Sequence, residues 1–419
     1  MTTTSDSPAA LFSWRRNLIA LYISVLFAVF GIALCFLFTP LFLANELGVH
    51  DERELAFWTG LSSAGFGISR AVTSPIWGAA ADRFGRKPML IRAMVGGGVA
   101  IGLITFAREP IHVVLANMLF AGVGGTVPVA TAIAARETPR AHVGFAVGVV
   151  HSASALGQSL GPLIGSGLAL AVGLRAMYPI GAALYTAAVV PVVLLVNESR
   201  ATRRRRSAPG LRQAIRLAPH ETVRAVGALL LANVFLWMTT QSAQPLIAIQ
   251  LLNVDPAGAV LLAGISFGAA SLLTALSSFA YSWVANRIGY RLLAVIAAIF
   301  GATVLVGVAQ ASSSTSATVL IVLIALFGLT RGVLIPLIAS MISLESPPDI
   351  QATILGVNVT AMAVGVSVGP LLAGSIAAVN GVSVGLLTAA AISVLLAAVF
   401  WLGVREPRRE DQAFVATEP

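Results

Sequence analysis

The charged residues of this chain gather into short clusters, and between the clusters run apolar stretches of at least 19 residues. A helix needs about 20 largely apolar residues to cross the hydrocarbon core of a bilayer. The pattern therefore predicts a bundle of membrane-crossing helices. Cutting at the charge, Pro and Gly clusters gives twelve spans: 17–43, 55–80, 89–107, 111–135, 143–171, 177–196, 224–251, 258–284, 292–310, 317–343, 351–379 and 384–404. With 57% hydrophobic and only 10% charged residues, and a mean hydropathy of +0.90, the chain lacks the polar surface that a soluble protein of 419 residues needs.

Basic residues orient the spans. If both termini are cytoplasmic, 21 of the 26 Lys and Arg fall on the inner side, Arg53, Arg108 and Arg175 on the outer side, and Arg70 and Arg331 within spans. That asymmetry is the positive-inside signal, and it explains the net charge of +9 without a nucleic-acid partner. The segment Met1 to Ser13 lacks the features of a cleaved signal peptide, so the first span is read as retained. Arg outnumbers Lys so heavily, with Lys87 the one lysine, that a high-GC bacterial source is expected, and a multi-pass helical bundle in such a source is expected in the inner membrane. The single cysteine, Cys35, excludes an intrachain disulfide. His50, His112, His142, His151 and His220 are scattered, so neither a metal centre, a cofactor nor enzymatic chemistry is expected.

The two halves repeat one another. Ala155 to Ile164 (ALGQSLGPLI) matches Ala363 to Leu372 (AVGVSVGPLL) at an offset of 208, which Pro128 and Pro336, and Gly124 and Gly332, share. Ala81 to Lys87 (ADRFGRK) matches Ala285 to Arg291 (ANRIGYR) at 204, and Pro40 pairs with Pro245 at 205. A near-constant offset at separate places marks a duplication. The expected domains are six-helix bundles at 1–196 and 224–404, a basic cytoplasmic linker at 197–223 and a tail at 405–419. Arg203 to Arg206 in the linker read as a positive-inside anchor or as a site for anionic headgroups. Parallel repeats of this kind place a solute site between the halves near the midplane.

Gly78 to Leu90 (GAAADRFGRKPML) closes the turn between the second and third spans. It resembles, at each main position, the signature loop Gly-x-x-x-Asp-Arg-x-Gly-Arg-Lys of the major facilitator superfamily. In residue terms, Gly78 would allow close helix packing, Gly85 a tight turn, Asp82 a carboxylate near a helix N-terminus, and Arg83, Arg86 and Lys87 cytoplasmic donors. The resemblance implies that these six residues form a latch between the halves on the cytoplasmic side; a charged turn serving topology alone is the plainer reading. In the fifth span, Gly157, Gly161, Pro162 and Gly165 resemble the Gly-x-x-x-Gly-Pro-x-x-Gly motif of the antiporter branch of the superfamily, which implies efflux. Glycines four apart line one helix face and also serve plain packing. Where the family often carries an arginine before the Gly-x-Gly of its fourth helix, this chain has Met118 before Gly122 and Gly124. The resemblance covers essentially the whole chain and implies a major-facilitator-like, all-α integral membrane fold of twelve helices in two pseudo-symmetric bundles.

All 17 acidic residues fall in tails, loops or helix ends, whereas Arg331 and Arg70 lie deep. A charge inside the hydrocarbon region must face a polar cavity or a partner. Since the tenth helix lines the family's central cavity, Arg331 is expected to touch substrate, or else to donate to unwound carbonyls. A structural or gating role is expected for Arg70. Asn233, Trp237, Gln241 and Gln244, spaced four, four and three apart, form a stripe on the seventh span that Asn117 of the fourth is expected to join. His151, the deep group that titrates near neutral pH, is the candidate proton carrier or a helix-to-helix hydrogen bonder. The chain is thus read as a monomeric secondary transporter whose partners are the lipid bilayer, a small solute and protons. The solute is a drug-like or metabolite compound leaving the cell, or alternatively an organic anion or sugar-like nutrient, for which inward movement is open as well.

Overall fold

The computed structural model describes residues 8–139, 142–198, 220–347 and 350–406, without the side chains of residues 8–13, 82, 220 and 352. Its helices are α1 (Pro8–Phe36), α2 (Thr39–Leu47), α3 (Glu52–Phe84), α4 (Arg86–Leu103), α5 (Pro110–Val123), α6 (Thr126–Glu137), α7 (Val143–Val172), α8 (Leu174–Ala187), α9 (Val189–Leu195), α10 (His220–Val254), α11 (Ala259–Ile288), α12 (Tyr290–Ala309), α13 (Ala317–Glu345), α14 (Gln351–Asn380) and α15 (Val382–Gly403). Among the described residues there is no strand, and eleven helical segments are long and apolar enough to cross a membrane. The exception is α3, whose 33 residues mix Gly, Ser, Thr and Arg70 with apolar side chains. The basic run Arg203 to Arg206 lies outside the described residues.

Four glycines make the tightest connections. Gly85, Gly173, Gly289 and Gly381, at φ of +95°, +86°, +94° and +92°, each end one helix and begin the next with no residue between. A positive φ is costly for any residue with a Cβ. Gly85 and Gly289 keep the offset of 204, and Gly173 and Gly381 that of 208, so the duplication is written into the backbone as well as the sequence.

The halves differ in continuity. The expected fourth span is two helices, α5 and α6, parted at Gly124 and Gly125, where Gly125 takes φ of +115°. Its counterpart α13 runs unbroken, because the position matching Gly125 is Val333, a β-branched residue that disfavours positive φ. The first span also breaks, before Thr39 and Pro40, while Pro245 sits inside the continuous α10. The sixth divides at Ala188 into α8 and α9.

Candidate substrate cleft

Two helix pairs carry most of the contact between the halves: α3 with α14, and α7 with α11. Both are tight toward the end of the bundle that carries Glu52. A methyl group at Gly60 would lie 3.0 Å from the Gly374 Cα, and one at Gly264 would collide with Ser166. At that end the Glu52 carboxylate accepts the Val382 amide across the seam at 2.5 Å. Toward the opposite, basic end the same helices part. Gly78 on α3, Gly144 and Gly148 on α7, and Gly356 on α14 have nothing within 4 Å of where a Cβ would be. Gly78 therefore makes no close approach here, contrary to the sequence expectation, because the face of α3 that carries it has no neighbour within reach at this end. A cleft opens between the halves at the basic end.

The glycine face of α7 packs against α1. A Cβ at Gly157 would stand 2.9 Å from the Phe30 amide nitrogen, and one at Gly165 would stand 3.2 Å from the Leu34 carbonyl. Gly161 abuts Ala33, and Pro162, buried one residue later, turns its carbonyl toward Gly264 of α11. In the other half Gly365 and Gly369 bring α14 onto α10 at Trp237 and Met238 in the same way.

The turn after α3 is tied into its own half. The Glu198 carboxylate accepts the amides of Arg86 (2.9 Å) and Lys87 (2.8 Å), capping α4. Lys87 Nζ donates to the carbonyls of Val196 and Val193 at the end of α9, and Arg86 donates to the Ala132 carbonyl of α6. Arg83 is exposed, stacked on the neighbouring Phe84 ring 5.2 Å away, and the side chain of Asp82 lies outside the described residues. The second half repeats the cap: Glu406 accepts the amides of Tyr290 (2.6 Å) and Arg291 (2.9 Å). Glu198 and Glu406 share the offset of 208, a match that ends in charged segments too short to register as a motif.

The break between α5 and α6 is braced from neighbouring helices. Trp77 Nε1 donates to the Gly122 carbonyl at 2.6 Å and Arg92 Nη2 to that of Gly124 at 3.3 Å, with the Arg92 guanidinium 3.4 Å above the Trp77 ring. Met118, where an arginine was the family expectation, fills the notch over Gly65 of α3.

The deep polar residues sort into two groups. Asn117 is buried, its amide on Ser62 Oγ at 2.5 Å, so it joins α5 to α3 instead of extending the stripe. Asn233 is also buried, donating to Asn358 Oδ1 of α14 at 2.7 Å, a partner that sequence reasoning missed. Trp237, Gln241 and Gln244 are partly exposed, and the two glutamine side chains make no hydrogen bond among the described residues. His151 is exposed and lies away from the apolar row Phe145, Leu156 and Leu163 on α7, about 120–140° round the helix.

The two deep arginines have neither hydrogen bond nor ion pair among the described residues. Carbonyls of α13 on either side of Arg331 are taken by α11: Thr274 donates to Gly328, Ser277 to Leu329 and Ser278 to Gly332. The helix α13 is itself continuous, so it offers Arg331 no unwound carbonyl of its own.

Comparison with known proteins places this geometry. The profile of the Major Facilitator Superfamily matches residues 21–361 and, again, 229–418. The multidrug resistance protein MdtG of Proteus mirabilis is 26% identical over 402 residues, covering 95% of this chain and 98% of that protein. Among solved structures, a mutant of the nucleoside transporter NupG superposes with a TM-score of 0.77 at 14% identity, covering 93% of this chain and 100% of that one. The human organic anion transporter MFSD10 superposes with a TM-score of 0.64 at 19% identity, covering 92% and 99%.

Proposed function

The chain belongs to the major facilitator superfamily, a family of transporters and not enzymes, and from that premise we propose that it exports drug-like or metabolite solutes across the bacterial inner membrane in exchange for protons. The observation that carries this reading is the unequal seam. It is closed where Glu52 meets Val382 and open at the basic end, which is one of the two end states that alternating access requires. Small residues along α3, α7, α11 and α14 let the halves rock while their own cores stay packed. The multidrug resistance relative supports drug-like cargo and the outward direction.

In this reading α3 supplies a twelfth span, its half-buried Arg70 turned from lipid. Both termini are cytoplasmic and the basic end faces inward, as the 21-to-3 distribution of basic residues requires. The halves, 1–196 and 224–404, move as units joined by 197–223, and one chain suffices as a monomer. The loop from Gly78 to Lys87 is the latch of the opposite state, when Arg83 meets the other half. His151, exposed on the side of α7 turned from lipid, carries the proton.

The test is reconstitution into proteoliposomes loaded with cationic, neutral and anionic solutes, with and without a pH gradient. Gradient-driven export that a protonophore abolishes supports the reading; equal rates with and without the gradient overturn the coupling. In His151→Asn, coupled export should fall at least tenfold while solute exchange without a gradient persists. Retained coupling there would move the proton to Asp82 or Glu137.

A further inference from the structure

Arg70 and Arg331 lie on opposite halves at matching depth. Each is 15 residues before the C-cap of its helix, Gly85 for α3 and Ser346 for α13, which is about 22 Å from that end. Helical phase turns both away from lipid. Arg70 lies between the exposed Ile68 and Val72, about 200° round from each, in the sector between the α3 face that meets Met118 and the face that meets Ser367. Arg331 lies about 180° round α13 from the exposed Val322.

Among the described residues neither side chain has an ion-pair partner. The acidic residues along the same helices nearest to them are Asp82 and Glu345, 12 and 14 residues away, or about 18 and 21 Å. Arg331 Nε is buried without a partner, while its terminal nitrogens and all three nitrogens of Arg70 stay accessible. The Tyr185 hydroxyl, itself hydrogen-bonded to Thr126 at 2.7 Å, lies within electrostatic reach of Arg70. An uncompensated guanidinium in an apolar bundle is costly. Two of them, both turned from lipid and neither ion-paired among the described residues, describe a site whose counter-charge arrives with the ligand.

We propose that Arg70 and Arg331 together bind an acidic group of the transported solute, a carboxylate, sulfonate or phosphonate, so that the preferred cargo is an organic anion. Planar guanidinium groups suit such oxyanions, which accept paired N–H donors. The free amides of Gln241 and Gln244 take the solute's remaining polar atoms, and Trp237 gives its apolar body a wall. This deepens the transport reading and rests on it for the role of the cleft. It also moves Arg70 from the gating role expected from sequence to direct contact with solute.

The test measures binding to the purified full-length protein in detergent, with no gradient, using a naphthalene sulfonate, its uncharged sulfonamide and a naphthyl trimethylammonium cation. Wild type should bind the sulfonate at least tenfold more tightly than either analogue. Arg331→Gln and Arg70→Gln should each lose that preference by about tenfold, the scale of one charge-assisted hydrogen bond, and the Arg→Lys variants should keep part of it. Variants are compared only where they elute as the wild type does, and the Lys variants cover a Gln variant that fails to fold. Tighter binding of the cation, a preference surviving both Gln variants, or its loss in only one of them overturns the proposal. Because binding is read without transport, export of the cation alongside failed sulfonate binding would defeat this inference and leave the export reading standing.

Discussion

Glu52, at the start of α3, accepts the backbone amide of Val382, at the start of α15, so a carboxylate of one half completes the first turn of a helix in the other. Gly381 just before it has φ of +92°, which aims the helix N-terminus at the carboxylate. The contact combines a cap with a favourable charge at the positive end of the helix.

Glu52→Ala should therefore loosen the closed end of the seam. With about 1 kcal/mol lost, the population open at that end rises about fivefold. The readout is labelling of Ser367→Cys, placed against Gly67, by a membrane-impermeant maleimide in a Cys35→Ala background. An unchanged labelling rate would show that the apolar seam holds without the carboxylate.

Two glycines six residues apart on α7 should respond in opposite directions. Gly161→Ala drives a methyl into Ala33 and should cost about 1–3 kcal/mol. Gly167 has nothing within 4 Å, so Gly167→Ala should stabilise by up to about 1 kcal/mol through helix propensity. Thermal unfolding in detergent separates them.

The paired caps should behave as a pair. Glu198→Ala and Glu406→Ala each leave two helix N-terminal amides without an acceptor, and each should cost about 1 kcal/mol. Since the two sites lie in different halves, the double variant should show the sum. A marked excess over the sum would mean that the two halves communicate across the basic end.

Gly125→Ala isolates backbone strain, because no atom lies within 4 Å of the new methyl and only the φ of +115° opposes it. A loss of about 1–2 kcal/mol is expected. Val333→Gly, at the matching place in α13, removes a side chain from a continuous helix and should leave α13 helical; the stability of each variant by thermal unfolding checks the contrast.

Most of the architecture was legible because membrane helices must satisfy their backbone internally, which makes long apolar runs nearly self-announcing. The duplication was legible because offsets survive even where residues do not. The break at Gly124 and Gly125 was hidden, since Gly-x-Gly reads equally as tight packing, and only Trp77 and Arg92 reaching in from α3 and α4 show that carbonyls are freed there. Asn117 and Asn233 had the polarity expected of a cleft wall, but their partners Ser62 and Asn358 sit on other helices at no fixed spacing. The charge of Arg70 was visible in sequence, yet its turning away from the exposed Ile68 and Val72 depends on helix phase and packing together.

The capping carboxylates Glu198 and Glu406 bind the last helix of each half to its third by contacts that never leave that half. Mechanically this makes each half a stiff arm and the glycine-lined seam a joint. In such a joint a displacement at one mouth passes to the other with little absorbed by bending along the way, and what a ligand can shift is set by the difference in its affinity for the two positions.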